Sequence, residues 1–324
     1  MGNPTDSLHA MQQRAVGDTG LRVSRLGLGT AMWGTVVDEH EARDELTAFL
    51  DAGGTLVDTA LMYGLGTSEE LLGRLLGDVA RRDQVVLATK GGFRTGGDRP
   101  VRDASRRTLL QNLDTSLQRL GTDHVDLWQV HVWSNTAPVD ETMAALDQAV
   151  SSGRARYVGV SNYAGWQLAQ AATWQRAVPT RVPLACTQEE YSLLNREVER
   201  DVLPAAAATG VGLLAYSPLA GGVLTGKYRS GTPADSRGAG RLAANVERYL
   251  DEHGRAVVEA VARAAEGLDW TPMQVALVWL RDRPHVTAPI VGARTAVQLK
   301  AALSTEDLTL PDAIVAALDD VSGE

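Results

Sequence analysis

Four side chains that can hold or transfer protons follow short apolar runs of the sequence. Asp58, Lys90 and His131 each come directly after such a run, and Tyr63 lies five residues beyond Asp58 in a glycine-bearing loop. A phenol can donate a proton, and a nearby ammonium or carboxylate changes how readily it does so. Taken alone, Lys90 is compatible with a solvated loop lysine and His131 with a core histidine. Their shared placement favours one common site.

Three further apolar runs also end in polar residues. These residues are Ser161, Asn162, Gln188, Tyr216 and Ser217. If the runs are parallel strands of a barrel, their carboxyl ends meet at one rim, which is where barrel active sites are built. The sequence therefore predicts a single polar rim.

Short β-branched and apolar runs alternate with stretches of helical periodicity along the chain. The predicted strands are 25–28, 55–57, 85–89, 125–130, 155–160, 184–187, 211–215 and 287–291. The predicted helices are 39–52, 68–79, 105–120, 140–152, 165–177, 197–208, 255–266, 272–281, 296–303 and, at the end of the chain, 310–321. This alternation predicts an α/β protein, a closed (β/α)8 TIM barrel forming a single domain over residues 1–324.

A doubly wound sheet is the alternative arrangement for such a pattern. Gly27 and Gly29 begin the Gly-x-Gly-x-x-Gly turn of that fold, but Met32 occupies the third glycine position. The barrel is therefore favoured. Before it, residues 1–11 are expected to be disordered, and 14–23 to form an N-terminal β-hairpin.

Two connections are longer than the rest, 91–103 and 217–250. A long loop in a compact domain is either irregular or a functional lid. Because the second loop follows the seventh predicted strand, we expect it to form a lid.

Composition excludes several classes of function. The chain has 324 residues, a net charge of −9 and a pI near 5.2, without a basic stripe, so no nucleic-acid partner is expected. Cys186 is the only cysteine, which rules out an intrachain disulfide or a cysteine zinc cluster. It is expected to be a buried, inert thiol, and no metal site is predicted. No apolar run has the length of a membrane helix, and the first residues do not resemble a signal peptide. We expect a cytoplasmic location.

The sequence resembles the aldo-keto reductase superfamily over nearly its whole length. The motifs that carry the resemblance are LGLGTAMWG, DTALMYG with SEELLG, ATKGG, DLWQVH, GVSNY, TQEEYS, SPLAGGVLTGK and GART with Gln298. Their style is that of bacterial oxidoreductases related to potassium-channel β-subunits. The resemblance implies a (β/α)8 barrel, a nicotinamide cofactor, usually NADPH, and a catalytic tetrad of Asp58, Tyr63, Lys90 and His131.

These four side chains suit the reduction of a carbonyl compound. A hydride that reaches a carbonyl carbon leaves negative charge on the oxygen, which needs a proton donor and preorganised hydrogen bonds. We expect Tyr63 to be the general acid, Lys90 to lower its pKa, and Asp58 to balance the lysine. His131 would orient the carbonyl oxygen. The rival chemistry for a barrel lysine is a Schiff-base aldolase, which needs a lysine of depressed pKa in an apolar pocket.

The resemblance also assigns contacts to the cofactor. Ser161, Asn162 and Gln188 would bind the carboxamide, and Tyr216 would stack on the nicotinamide ring. Arg294 has the fork geometry that suits a 2′-phosphate, so NADPH is predicted over NADH. The remaining assigned residues are Thr30, Ser217, Pro218, Leu219, Gly222, Lys227, Arg237, Gly292, Thr295 and Gln298. Ala301 and Ala302 depart from the Glu-Asn that related sequences commonly carry there against adenine, which puts the adenine contacts in doubt.

The substrate is expected to be a small aromatic or aliphatic aldehyde or ketone. Trp33, Phe93 and Trp133 are predicted to line its pocket, with Met32 and Trp166 as further candidates. The alternative function is a nicotinamide-binding regulator with slow turnover and a protein partner, as the channel β-subunits are. No feature of the sequence selects one natural substrate or an oligomeric state.

Overall fold

Eight parallel strands close into a barrel in the computed structural model, which describes residues 11–95, 99–240 and 243–323. In sequence order its strands are β3 (Gly27–Gly29), β4 (Leu56–Asp58), β5 (Val86–Gly91), β8 (Val125–Val130), β9 (Ala155–Ser161), β10 (Leu184–Glu190), β11 (Gly212–Tyr216) and β12 (Val286–Val291). Each pairs with the next, and β12 pairs with β3 to complete the ring. The predicted (β/α)8 TIM barrel is confirmed.

The strands are apolar on both faces because side chains point alternately into the barrel and toward the helices around it. Several strands continue past their predicted ends. β5 runs to Gly91 and β10 to Glu190, so that Lys90 and Gln188 lie inside strands. Their side chains are therefore held by regular backbone pairing rather than by loops.

The helices pack outside this ring. They are α1 (Glu39–Asp51), α2 (Thr67–Leu75), α3 (Arg106–Leu120), α4 (Val139–Ser151), α5 (Gly165–Arg176), α6 (Val202–Thr209), α7 (Ala243–Glu247), α8 (Glu252–Leu268), α9 (Pro272–Arg281), α10 (Ala296–Leu303) and α11 (Asp312–Ser322). Their ends follow capping rules: Asp38 accepts the backbone N–H of Glu41 at 2.9 Å, and Gly121 ends α3 in the left-handed conformation. No described helix is both long and apolar enough to cross a bilayer.

A β-hairpin closes the amino end of the barrel. Its strands are β1 (Gln13–Ala15) and β2 (Arg22–Ser24), as predicted. Gly17, in the turn, has φ of +54°, and a Cβ there would lie 2.5 Å from the carbonyl oxygen of Gly210. Only glycine therefore allows this close approach. Residues 1–10 of the expected disordered lead lie outside the described residues, whereas Met11 is buried.

The barrel interior at this end is filled by small and medium apolar side chains. Cys186 is fully buried among them, and burial raises the pKa of its thiol, as suits an inert packing residue. The hairpin and this layer together leave the carboxyl ends of the strands as the open face of the barrel.

Both long connections carry structure of their own. The first contains the antiparallel pair β6 (Phe93–Arg94) and β7 (Val101–Arg102), with residues 96–98 outside the described part. The second contains two 3-10 turns, Ala220–Thr225 and Arg237–Ala239, and then α7, which sequence analysis did not predict.

Candidate active site

Lys90 lies at the centre of the polar rim. Its Nζ donates to Asp58 Oδ2 at 2.6 Å, to the carbonyl oxygen of Thr59 at 2.9 Å and to Tyr63 Oη at 3.4 Å. The side chains of Lys90 and Asp58 are 1% and 2% exposed. Asp58 Oδ1 accepts from Gln188 Nε2 at 2.9 Å, so both of its oxygens have partners. The pair is thus satisfied inside the barrel mouth.

The backbone explains this convergence. Asp58 and Lys90 come from the neighbouring strands β4 and β5, whose registers place Asp58 opposite Ala88. Beyond Asp58 the chain turns through a 3-10 segment, Tyr63–Gly66, whose last three residues have φ of 57°, 57° and 109°. This tight left-handed turn directs the Tyr63 phenol back toward the lysine.

His131 follows the end of β8 and faces the same point. Its ring lies edge-on to Tyr63 and to Phe93, with centroid distances of 5.9 and 5.5 Å. Burial, together with the charge of Lys90, lowers the pKa of His131 to about 3. The imidazole is therefore neutral at physiological pH. Its Nδ1 is buried and finds no hydrogen-bond partner among the described residues.

Burial governs the titration of the phenol and the amine. It raises the pKa of Tyr63, and the opposing effect of Lys90 is too small to reverse this. Lys90 lowers the Tyr63 pKa as expected, but burial of the hydroxyl, which the sequence does not show, outweighs it. Burial also acts to lower the pKa of Lys90, but Asp58 and Tyr63 outweigh it and the net shift is upward. A Schiff-base lysine needs the opposite shift, so the aldolase alternative is disfavoured.

A second polar group adjoins the first through Gln188, which donates to Asp58. Asn162 has φ of 56°, and its Nδ2 donates to the carbonyl oxygen of His131 at 2.9 Å and to Ser161 Oγ at 3.0 Å. Tyr216 Oη donates to Asn162 Oδ1 at 2.9 Å. These residues, with Gln188, link the ends of β8 to β11 into one wall. The wall offers amides and hydroxyls to a polar planar group.

A cavity of about 610 Å³ is lined by residues of both groups and by residues of the loop after β11. Most of the predicted site residues line it: Asp58, Tyr63, His131, Ser161, Asn162, Gln188, Tyr216, Ser217, Pro218, Leu219, Gly222, Lys227, Arg237, Gly292, Arg294 and Gln298. Lys90 lies behind Asp58 and Tyr63.

Two residues predicted to bind cofactor do not line the cavity. Thr30 is fully buried and donates to the carbonyl oxygen of Asp58 at 3.1 Å, so it supports the end of β4. Thr295 caps α10 by accepting the backbone N–H of Gln298 at 3.2 Å. Each holds a lining residue in place instead.

Sequence analysis missed several lining residues. They are Gly29, Ala31, Thr225, Met273, Ile290, Val291 and Ala293. Gly29 and Val291 are the last residues of β3 and β12, so the rule that strand ends face the rim could have found them. Ala301 and Ala302 also line the cavity, and they present methyl groups there.

Within the described part of the chain, three cations line the far end of the cavity. Lys227 and Arg237 come from the loop after β11, and Arg294 precedes α10. Burial lowers the pKa values of Lys227 and Arg237, and mutual repulsion with Arg294 adds to this. The Arg237 guanidinium contacts Met32 Sδ at 3.0 Å, and Arg294 donates to the carbonyl oxygen of Asp235 at 2.5 Å. Crowded, partly buried cations of this kind favour a bound polyanion.

The three predicted substrate residues occupy different environments. Trp33 does not line the pocket as predicted. Its indole is fully buried in the core and donates to Glu45 Oε2 at 2.8 Å. Met32, one residue earlier, lines the cavity instead. Phe93 lies against His131, and Trp133 stacks edge-on against Tyr163. Phe93 and Trp133 thus lie on the His131 side of the mouth, outside the lining itself.

Comparison with known proteins assigns the family. Residues 25–322 match the aldo/keto reductase family, to which the chain belongs. The uncharacterized oxidoreductase YrpG of Bacillus subtilis is 37% identical over 96% of each chain. The L-glyceraldehyde 3-phosphate reductase of Escherichia coli is 36% identical over 90% of this chain and 86% of its own. A probable voltage-gated potassium channel subunit beta of Oryza sativa is 36% identical over 87% of each.

Proposed function

We propose that the protein is an NADP-dependent oxidoreductase that reduces aldehydes or ketones to alcohols, with Tyr63 as the general acid. The observation that carries this proposal is the hydrogen-bonded chain Asp58–Lys90–Tyr63, which ends at the cavity beside His131. Membership of the aldo/keto reductase family supports an oxidoreductase activity. The experiment is consumption of NADPH with a panel of carbonyl compounds.

The residues of the cavity fit a nicotinamide dinucleotide. Ser161, Asn162 and Gln188 would hold the carboxamide, and Tyr216 would face the ring. The cations at the far end would bind the phosphates, aided by backbone N–H groups around Gly222, which has φ of 94°. When bound, the cofactor supplies a hydride for the carbonyl carbon.

Side chains of the protein would donate the proton that the carbonyl oxygen needs. The raised pKa of Tyr63 keeps the phenol protonated, so that it can donate to the more basic oxygen of a reacting carbonyl. Lys90 remains charged because Asp58 balances it, and its field stabilises the phenolate that is left. Neutral His131 has an N–H with which to orient the same oxygen. Together they form a preorganised site for developing negative charge.

The preference for NADPH rests on Arg294 and its two cationic neighbours. A guanidinium can bind a phosphate through two parallel hydrogen bonds, each assisted by charge. NADH lacks the 2′-phosphate that these cations would contact. Equal catalytic efficiency with NADPH and NADH would contradict this part of the proposal.

The substrate side of the mouth favours an apolar carbonyl compound. Phe93 and Trp133 are aromatic, Trp166 beside them is 63% exposed, and Leu65 beyond Tyr63 is 76% exposed. The crowded cations lie at the opposite end. We therefore propose small aromatic or aliphatic aldehydes and ketones as substrates.

A second candidate function is a nicotinamide-binding regulator with slow turnover. The channel-subunit relative favours it. Rapid NADPH oxidation with an aldehyde would exclude this candidate, whereas tight NADPH binding with negligible turnover across the panel would favour it over the reductase.

A further inference from the structure

An ion pair between a buried carboxylate and a partly exposed guanidinium, outside the four proposed catalytic residues, holds the loop that carries Tyr63. Glu69, in the first turn of α2, is fully buried, and its Oε1 accepts from Thr89 Oγ1 at 2.7 Å. Its Oε2 lies 3.3 Å from Arg119 Nη1 on α3. Thr89 is the residue before Lys90, so this pair ties the outer face of β5 to α3.

The same guanidinium fixes the Tyr63 loop at two points. Arg119 Nη1 donates to the carbonyl oxygen of Leu61 at 3.1 Å, while the N–H of Leu61 donates to the carbonyl oxygen of Lys90 at 3.0 Å. Beyond Tyr63, the guanidinium lies so close against Gly66 that a Cβ there would collide with Arg119 Cζ. Arg119 thus contacts the loop two residues before the phenol and three residues after it.

This segment needs such support because its backbone is unfavourable. Leu65 adopts φ of 57°, in the left-handed region that a leucine rarely occupies, and its side chain is 76% exposed. The Leu65 side chain is largely exposed, so its packing contributes little against the strain of this backbone conformation. The surroundings must impose the conformation.

Resting on the reductase function proposed above, we propose that Arg119, oriented by Glu69, is a positioning residue that sets the location of the Tyr63 hydroxyl. The guanidinium spans a carboxylate, a carbonyl and a glycine face at once. An ammonium is a point donor and cannot cover all three. We call the pair of Arg119 and Glu69 the clamp. The clamp determines the 3.4 Å separation of Tyr63 Oη from Lys90 Nζ.

The test compares Arg119→Met with Arg82→Met. Arg82 is a matched control: its side chain is 23% exposed against 25% for Arg119, and it pairs with Asp126 at 2.7 Å. It also donates to the carbonyl oxygens of Val85 and His124, at the opposite end of the barrel.

We expect Arg119→Met to lower kcat by about 100-fold, the effect of displacing a reacting group by about 1 Å, with the Kd for NADPH unchanged. Arg82→Met should lose similar thermal stability and keep kcat. If Arg119→Met folds poorly, Arg119→Ala replaces it in the test. Added guanidinium ion should restore the turnover of Arg119→Ala. The variant Arg119→Lys should remain as slow as Arg119→Met. Equal kcat losses in the two methionine variants, or no rescue, would overturn the proposal.

A readout that does not need turnover separates this proposal from the reductase function. The pKa of Tyr63 can be measured by ultraviolet difference titration against Tyr63→Phe. In Arg119→Lys, which keeps the positive charge but loses the guanidinium contacts, the phenol should move away from Lys90, so its pKa should rise further. If the wild-type protein is inactive but the variant shows this pKa shift, the reductase function is rejected and the role of the clamp is retained. If the Tyr63 pKa is unchanged in the variant, the role of the clamp is rejected.

Discussion

The buried pair of Asp58 and Lys90 allows a test of the site that requires no substrate. The perturbation is a double-mutant cycle of Asp58→Asn, Lys90→Met and the combined variant. Nζ and Oδ2 are 2.6 Å apart and the side chains are 1–2% exposed. At an effective dielectric constant of about 20, the direct attraction is roughly 6 kcal/mol, from which several kcal/mol of desolvation must be subtracted for each ion.

Each single substitution leaves one buried charge without its partner. We therefore expect each to lower the free energy of unfolding by about 3–5 kcal/mol. The double variant leaves no charge, and the amide introduced at position 58 can still accept from Gln188, so it should be no less stable than either single variant. The resulting coupling energy between Asp58 and Lys90 should be at least about 3 kcal/mol.

Urea unfolding followed by circular dichroism and tryptophan fluorescence measures this coupling. The control cycle uses Arg229→Met and Glu259→Gln, whose side chains lie 2.7 Å apart but are 47% and 44% exposed. Solvent screening should make its coupling close to zero. Additive losses at Asp58 and Lys90 would refute the reasoning, because they would mean that the two charges do not depend on each other.

Two other predictions concern the proposed chemistry, and a third concerns the pH dependence of stability. Tyr63→Phe should lower kcat about 100- to 10,000-fold while NADPH binding, measured by stopped flow, stays unchanged. Turnover near that of the wild type would show that Tyr63 is not the general acid. Arg294→Met should weaken NADPH binding about 10- to 100-fold by titration and leave NADH binding alone, with exposed Lys300→Met as the control; an equal loss for both cofactors would contradict the phosphate contact. Burial raises the pKa of Glu189 from about 4.5 to about 7, so the stability that this group gives is complete below pH 4.5 and is lost as pH rises through 7. Glu189→Gln should flatten this part of the melting temperature profile, and an unaltered profile would show that Glu189 is already ionised.

The sequence was sufficient to predict the barrel and most of the rim. Apolar runs that end in a polar residue identify parallel strands whose ends face one side, and this rule located Asp58, Lys90, His131 and Gln188. It works because the strand period and the barrel closure leave the last side chains few directions to take.

The predictions that failed depended on the burial of side chains and on the direction in which side chains of loop residues point. Met32 and Trp33 are adjacent, yet Met32 lines the cavity and Trp33 binds Glu45 in the core. Outside regular strands, no period decides which of two neighbouring side chains turns inward. The net direction of the Tyr63 pKa shift could not be predicted for a related reason: Lys90 lowers this pKa as expected, but burial, which the sequence does not show, outweighs it. Glu69 is a buried ion-pair partner, and its position in the first turn of a helix gives no sign of this in the sequence.

The N-terminal hairpin also constrains the order in which the molecule can assemble. Arg14 on β1 donates to the carbonyl oxygens of Arg281 and Val286, residues 267 and 272 positions later. The hairpin is therefore synthesised long before the part of its docking surface that α9 and β12 supply. Its contacts with earlier residues, such as the hydrogen bonds between Ser24 and Thr55, need only a short length of chain, whereas completion of this end of the barrel depends on contacts between very distant positions.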